Sequence, residues 1–435
     1  MTVLRVDLYG QAIGYLNGAG QTFDFRATPE AIERWGLGSP ALSFAIPLTL
    51  SPRPTELAGR RNYFAEELAE GPALKRLAEK ARLDETNTMG LLARYGRDVA
   101  GALRIWDEAA PGEPRTPEYL PLTPQEIRSR IENVRLDPLG NTNARHMSSL
   151  AGIQPKLVLA QQNGAWGEAV DGYPTTHIVK PVNGILPTLI FDEEYGSRIV
   201  RDLGLARFDS HLETFDGVTA LVIQRYDRSP TAPDLRIHQE DFNQALGRSG
   251  DAKYEENGHP GLAAIARIVL NNVGTEATER LLRLTAASVA MGNLDMHAKN
   301  LSILHLPDGS LDLAPAYDVV PQMHMGFDPR FAFNVNGVGD HELITLADLA
   351  AEGRKWGLRR SETLVQQTVE QVAAFVEGEA PAAGAHYALA DDIARFCSNL
   401  LQGRGASASI SRTRRSESPR YAPQAPGGWG GPVRG

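Results

Sequence analysis

The chain of 435 residues is 42% hydrophobic and 22% charged, which is ordinary for a globular protein and long enough for two to four units of about 100–200 residues. Its net charge of −9 is uneven: residues 403–435 hold six Arg and one Glu, net +5, leaving −14 for residues 1–402, which argues against a body built to bind nucleic acid. The single cysteine, Cys397, excludes an intramolecular disulfide and a cysteine-based zinc cluster, and no run of about 18 apolar residues is present to span a membrane.

The first residues, MTVLRVDLYG, show no basic segment followed by an apolar core, so no secretory signal is expected and the expected location is cytoplasmic. Residues 1–16 alternate in strand fashion, with Leu4, Val6 and Leu8 against Arg5, Asp7 and Tyr9. Residues 42–50 read as another strand, ended by Ser51-Pro52. From 63 to about 103 the spacing turns helical, with Phe64, Leu68, Leu74 and Leu77 sharing faces. These elements make a first unit, residues 1–105.

A loop rich in Pro, Glu and Gly leads into a strand-rich unit, residues 106–226. It holds a strand at 156–160, an Asn163-Gly164 turn with a second strand after it, and a third strand at 176–180. A helix is expected over 193–203, stopped by Gly204, and a strand over 220–225. Residues 227–402 are mostly helical, with helical spacing at 241–246, 262–271, 277–291 and 361–376. Cys397 falls in such a helix and is expected to be a packed thiol. Residues 403–435, rich in Gly, Ser, Pro and Arg, read as a disordered tail.

The informative stretch is 291–320, MGNLDMHAKNLSILHLPDGSLDLAPAYDVV. A helix ends near Gly292; Asp295 follows, and Asn300 stands five residues on. Residues 301–306 read as a strand, Pro307-Asp308-Gly309-Ser310 as a turn, and 311–316 as the returning strand. Pairing about that turn sets 301 opposite 316, so Asn300 and Asp318 leave the same end of one hairpin. Opposed side chains lie about 5 Å apart, close enough to share one hard cation. Phosphoryl transfer needs such a set: one Asp to orient or deprotonate the acceptor, and an Asn and a second Asp to hold Mg²⁺ against the phosphates. Singly, each of these residues is a common cap or turn residue. Together, polar residues at both ends of an apolar hairpin call for a shared purpose.

Upstream lie matching parts. Residues 148–154, SSLAGIQ, are placed to form a loop over phosphates, although Gly152 is the only glycine in it. The strand holding Lys156 follows. Lys180 ends the strand THIVK and is the candidate phosphate-pairing lysine, with Glu193 or Glu194 as its carboxylate partner. Gln224-Arg225-Tyr226 stands where strands give way to helices, as an interlobe hinge for adenine.

The stretches LSFAIPL, YFAEELAEG, YGRDVAGAL, SSLAGIQPKL, THIVKP, ALVIQRYDR, HQEDFNQALG, KYEENGHPG, NLDMHAKN and LAPAYDVVP resemble the HipA family, kinase toxins of bacterial type II toxin–antitoxin pairs. The resemblance runs to about residue 402. It implies an α+β, two-lobed serine/threonine protein kinase: an added N-terminal α/β subdomain (1–105), a strand-rich N-lobe (106–226) and a helical C-lobe (227–402). It implies ATP and Mg²⁺ as cofactors, Asp295 as catalytic base, and Asn300 and Asp318 as metal ligands. Ala151, Gly152, Ile153, Gln154, Pro155, Lys156, Lys180, Gln224, Arg225, Tyr226, His297, Ala298, Lys299, Asn300, Tyr317, Asp318, Val319 and Val320 would line the ATP site. Ser149, preceded by Ser148, matches a loop serine that such kinases autophosphorylate, where added negative charge repels ATP and ejects the loop.

Family members pair with a small helix-turn-helix antitoxin of HipB type that binds operator DNA. Family targets include aminoacyl-tRNA synthetases, whose phosphorylation blocks translation and slows growth. Met296 replaces a Gly of several relatives, Gln224 stands where an acidic residue is familiar, and the Arg-rich tail has no counterpart. Two alternatives accompany this reading. The spacing D-x-H-x-x-N also resembles phosphoinositide kinases, which leaves a lipid or small-molecule kinase, though the acidic body disfavours a membrane-facing surface. A nucleotide-binding co-repressor scaffold without activity is the other; the presence of Asp295, Asn300 and Asp318 weighs against it.

Overall fold

Buried Leu4, Val6 and Leu8 drive the first strand, and Tyr9-Gly10, with φ of 52° and 74°, turns it straight back. The computed structural model describes residues 2–255, 259–326 and 328–409. In it the expected strand at 1–16 is this hairpin, Thr2–Leu8 and Gln11–Ala19, at the centre of an antiparallel four-stranded sheet edged by Thr22–Ala27 and Leu103–Trp106. The helical reading of 63–103 resolves into separate pieces, Leu57–Ala65, Gly71–Ala81 and Thr88–Tyr95. Their Tyr63, Phe64, Leu77 and Leu92 share a core with Leu4 and Leu8.

Residues 42–50 are not a strand but an irregular loop. Leu42, Ile46 and Leu48 are buried as anchors rather than as one face of a sheet. Ser43 Oγ and Phe44 N donate to Glu240 (2.6 and 2.9 Å), and Leu42 O contacts His238 Nε2 at 2.8 Å. Pro47 has no amide to add to a ladder.

The second sheet is antiparallel and six-stranded, in the order Glu118–Pro121, Ala165–Val170, Leu157–Gln162, His177–Pro181, Val218–Gln224, Ser210–Phe215. Ile127 and Ile131 of the helix Pro124–Glu132 pack on one face with Leu157, Val179 and Val222. The two-residue period of a strand then sends Ile178 and Lys180 to the opposite face, which lines a cleft. The helix expected at 193–203 begins earlier, as Leu189–Asp202, and ends before Gly204 (φ 69°).

Below the cleft, the helices Leu262–Asn272, Thr275–Met291, Leu346–Lys355, Ser361–Gly378 and Leu389–Leu401 share a core that includes Leu281, Val289, Val369 and Ile393. Cys397 is buried there with its Sγ toward Ala290 O, and burial pushes its pKa up to about 12, as befits a packed thiol. Residues 241–246, expected as a helix, are the end of a strand, His238–Asp241, and a short helix, Phe242–Ala245. That strand pairs with Ser302–His305, which pairs in turn with Leu311–Leu313.

The hairpin register differs by one residue from the expected pairing of 301 with 316. Ile303 faces Leu313 and His305 faces Leu311. The ladder closes at Leu306 and Ser310 (2.8 Å), so the loop has three residues with Gly309 in the left-handed region (φ 86°), instead of four. A one-residue slip exchanges the faces that side chains meet.

The ordered chain also runs past the expected boundary at 403. Ala406 is fully buried, its amide donates to Ile344 O (2.9 Å), and Asn399 Nδ2 holds Ala406 O (3.0 Å). The rest of the expected tail, 410–435, lies outside the described residues. Among the described residues no helix is long and apolar enough to cross a membrane.

Candidate active site

A close backbone approach builds the centre of the cleft. A Cβ on Gly196 would lie 2.3 Å from Val319 O, so glycine lets the helix Leu189–Asp202 rest directly on the chain after Asp318. One turn back, Glu193 Oε1 accepts from Lys180 Nζ at 2.7 Å, and the same ammonium donates to Asp318 Oδ1 at 2.6 Å. Burial alone would lower the lysine's pKa; Asp318 and Glu193 outweigh it and raise it. Burial would likewise raise Asp318, but Lys180 brings it down to about 2. Glu193, buried deepest, is pushed up to about 7 despite Lys180. Of the two glutamates considered for Lys180, Glu193 makes the pair, while Glu194 pairs with Arg198 at 3.0 Å.

The helix Thr275–Met291 delivers the loop that carries Asp295 and Asn300. Asn300 Nδ2 donates to Asp295 O at 2.8 Å, which ties the two ends of the loop and leaves the amide oxygen for other work. Tyr254 Oη donates to Asp295 Oδ1 at 3.1 Å, and its ring stands edge-on to His297 with centroids 5.3 Å apart. Burial raises the Asp295 pKa to about 6, with Lys253 pulling against it. It is therefore mostly ionised at neutral pH yet basic enough to take a proton. Burial lowers His297 to about 3, so its ring is neutral.

Over the cleft, Gly152 has φ 103°, and a Cβ there would lie 2.4 Å from Lys156 Nζ. The bare backbone admits that ammonium, which donates to Ala151 O at 2.5 Å and whose pKa burial lowers to about 8. An apolar wall completes the space: Ile178, Ile223, Phe208, Tyr226 and Tyr317, with Tyr226 5.9 Å from Phe208 and 5.3 Å from Tyr317. Gln154 Nε2, Glu193 Oε2 and His297 Nδ1 are buried at this site without a hydrogen-bond partner.

The cleft gathers Ala151, Gly152, Ile153, Gln154, Lys156, Lys180, Gln224, Arg225, Tyr226, Asp295, His297, Lys299, Asn300, Tyr317, Asp318 and Val320. Pro155, Ala298 and Val319 are not on its surface; the last two are packed into the helical core. Arg225 borders the cleft, but its guanidinium turns away to Asp227 (2.8 Å), Thr175 (2.8 Å) and Val99 O (2.8 Å). The amides of Gln224 and Arg225, expected to form a hinge, donate to Asp209 O and Thr176 O (2.8 and 2.9 Å). Ser149 is fully buried, with Oγ accepting from Ala69 N at 2.9 Å, and Ser148 Oγ donates to Asp98 at 3.2 Å.

Among the cleft residues that were not expected are Glu66, Glu70, Lys253 and Tyr254, the last of which donates to Asp295. They fall inside YFAEELAEG and KYEENGHPG, stretches that carry the family resemblance, yet no local pattern assigns them a role.

The comparisons agree with this geometry. The HipA N-terminal domain matches residues 4–106 and the HipA-like C-terminal domain matches residues 148–378. A Sinorhizobium fredii protein named “Putative kinase Y4mE” is 31% identical over 358 residues, 76% of this chain and 83% of that protein. The serine/threonine-protein kinase toxin HipA of Shewanella oneidensis is 28% identical over 317 residues, 69% of this chain and 72% of that one. A chain of the solved Shewanella oneidensis complex of HipA, HipB and operator DNA superposes with a TM-score of 0.73 at 25% identity, covering 92% of this chain and 96% of its own length. With both domains matched and the cleft's lysine and acids assembled, the chain belongs to the HipA family and is a serine/threonine-protein kinase with the two-lobed α+β fold.

Proposed function

We propose that this kinase moves the terminal phosphoryl group of ATP, with Mg²⁺, to a serine or threonine hydroxyl of another protein, as the toxin of a toxin–antitoxin pair. The observation that carries the reading is Lys180 bridging Glu193 and Asp318 in the same cleft as Asp295. The site's residues fit the cofactors. The unpartnered Gln154, Glu193 and His297 atoms suit a polar ligand, and the Phe208–Tyr226–Tyr317 wall suits a flat base. Among the described residues no group of three or more His, Cys, Asp and Glu could hold a metal unaided. Asn300 and Asp318, both at the cleft, would hold the cation through their oxygens.

When bound, ATP supplies the phosphoryl group and Mg²⁺ neutralises charge on it. Lys180 would pair with the phosphates, Glu193 holds its ammonium in place, and Asp295 would orient the acceptor hydroxyl and take its proton. Lys156 and the loop residues 151–154 line the cleft and would cover the phosphates. Residues 1–105, 106–226 and 227–402 serve as N-terminal subdomain, N-lobe and C-lobe.

The HipB and operator DNA in the Shewanella complex support a HipB-like helix-turn-helix antitoxin as partner. DNA would be reached mainly through that partner, as suits an acidic body. The family resemblance supports an aminoacyl-tRNA synthetase as substrate, growth inhibition as outcome, and a cytoplasmic location. Autophosphorylation falls to Ser149, with Ser148 as the neighbouring candidate. Ser149 Oγ is seated against Ala69, so the loop must leave this position before the hydroxyl can react.

The test is intact-mass and phosphosite mapping after incubation with ATP and Mg²⁺, beside Asp295→Gln. Phosphate on Ser149 that the variant lacks is the expected result. Phosphate only on proteins of an added lysate keeps the kinase and removes the self-modification. No transfer to either one sinks the catalytic reading.

A further inference from the structure

Residues 66–71, which join two helices of the N-terminal sheet unit, run directly beneath the loop over the cleft. Their contacts follow one another along both chains. Ala69 N donates to Ser149 Oγ (2.9 Å), Glu70 Oε1 accepts from Gly152 N (3.0 Å), and Gly71 faces the Ile153 side chain. The same residues hold the opposite wall. Glu70 Oε1 also pairs with Lys299 Nζ at 2.8 Å, Glu66 pairs with that ammonium too, and Glu66 Oε1 accepts from Gly250 N at 2.9 Å. Lys253 Nζ lies 3.9 Å from Glu70 Oε2. One carboxylate, from a part of the chain outside both kinase lobes, thus touches an amide of the upper loop and an ammonium of the catalytic loop.

Local structure explains why Glu70 points there. It is the N-cap of the helix Gly71–Ala81, with extended φ and ψ (−119°, 159°), and it makes no side-chain capping bond. Short acceptors such as Asp and Ser reach back to a helix's own amides, whereas the longer glutamate arm carries its oxygens past them. Burial would raise its pKa, but Lys299 and Lys253 bring it down to about 2, and the helix N-terminus favours the same anion. Glu70 therefore stays charged wherever the protein is folded near neutral pH.

We infer that Glu70 is a positioning residue that latches the phosphate-binding loop closed, by joining Gly152 to Lys299. The inference rests on the nucleotide site argued above. With the latch made, the loop is ordered before any ligand arrives, and binding does not have to meet that entropy. Without it, ligands that carry phosphates must order the loop themselves, while adenosine, held by the apolar wall, need not.

The test combines hydrogen exchange of nucleotide-free protein with calorimetry, for wild type, Glu70→Ala and Glu70→Gln. In Glu70→Ala, amides of 148–156 should exchange about tenfold faster or more, as for loss of a charge-assisted hydrogen bond. The helix Thr275–Met291 should keep its protection. The dissociation constant for Mg·ATP should rise about tenfold, and that for adenosine by less than about twofold. Glu70→Gln keeps an acceptor for Gly152 but loses the charge toward Lys299, so it should fall between, and it serves if the alanine variant does not fold.

Unchanged loop exchange in both variants overturns the latch, whatever the nucleotides do. So does an equal loss of ATP and adenosine binding, or joint loss of protection in the loop and Thr275–Met291, since either marks a general structural role. If wild type binds neither nucleotide yet the loop still loosens in the variants, the latch stands and the nucleotide reading fails.

Discussion

Two lysines in this protein are each bracketed by two carboxylates, and the two brackets do different work. Lys180 lies between Glu193 and Asp318, and Lys299 between Glu66 and Glu70. In both, burial disfavours the ammonium and the carboxylates prevail, so the lysine's pKa rises. They differ in what they leave open. The Asp318 side chain is 41% exposed in the cleft, whereas Glu66 and Glu70 are 8% and 23% exposed. The first bracket leaves one carboxylate open to the cleft. The second closes on itself and joins the N-terminal unit to the catalytic loop. A bracket with a well-exposed acid is open to a ligand, and one whose acids are largely covered serves as a strut.

Variants separate the two. The largest effect should come from Asp295→Gln, which belongs to neither bracket: turnover should fall about 10²–10⁴-fold, as for a lost general base, with nucleotide affinity retained in calorimetry. Wild-type turnover in that variant would place the base elsewhere. Next, Lys299→Met removes the ammonium shared by buried Glu66 and half-buried Glu70 and should lose about 3–5 kcal/mol of unfolding free energy in denaturant. Lys180→Met should lose less, because Asp318 can turn to water and Glu193, already raised to about 7, can take a proton, but it should abolish transfer. Matching unfolding curves for the two variants would erase the distinction between site and strut.

Asp318→Ala should remove the part of ATP affinity that depends on Mg²⁺, about tenfold or more for a lost charge-assisted contact. Titrations with and without the metal read this directly, and a Mg²⁺ effect as large as in wild type would move the ligand role off Asp318.

The smallest effect per group lies in pH. Burial holds His238 and His297 at about 3, so from pH 6.5 downward the unfolded chain takes protons that the folded one refuses, and stability falls. Glu193 and Asp241, raised by burial to about 7, act in the opposite sense between their unfolded values and pH 7. Below about pH 4.5 that compensation ends. Asp318 and Glu70, both held at about 2, then add to the loss, since their stabilisation is present above the unfolded pKa and disappears as pH falls toward 2. Unfolding midpoints should therefore stay nearly level from about pH 6.5 to 4.5 and drop below it, by about 1.4 kcal/mol per pH unit for each fully buried histidine. A steady fall from pH 6.5 would mean that the buried carboxylates are not protonated as described.

Much of the active cleft was legible because its residues are close in sequence. Asp295, Asn300 and Asp318 come from one helix–loop–hairpin stretch, and local chain order suffices to bring them together. The hairpin's register was not legible, because Gly309 in the left-handed region closes a three-residue loop that four polar turn residues do not distinguish from a longer one. Family resemblance placed Ala298, Val319 and Arg225 near the nucleotide, but it transfers positions rather than directions. Ala298 and Val319 point into the helical core, and the Arg225 guanidinium serves the junction with Asp227 and Val99. Ser149 was found as a residue, while its burial under Ala69 depends on a unit some 80 residues away in sequence.

By itself the amino-acid sequence determined the family, the α+β kinase plan, the lysine on its strand, and the base and metal-binding candidates around one hairpin. Periodicity, turn chemistry and motif spacing act between chain neighbours, and these features need nothing more. Only the tertiary structure decided which of two glutamates meets Lys180, that Tyr254 holds Asp295, and that Glu66 and Glu70 reach Lys299 from 233 and 229 residues away. A carboxylate's role follows from its burial and from the charge a few ångströms off, and chain order fixes neither when the partner lies on another unit.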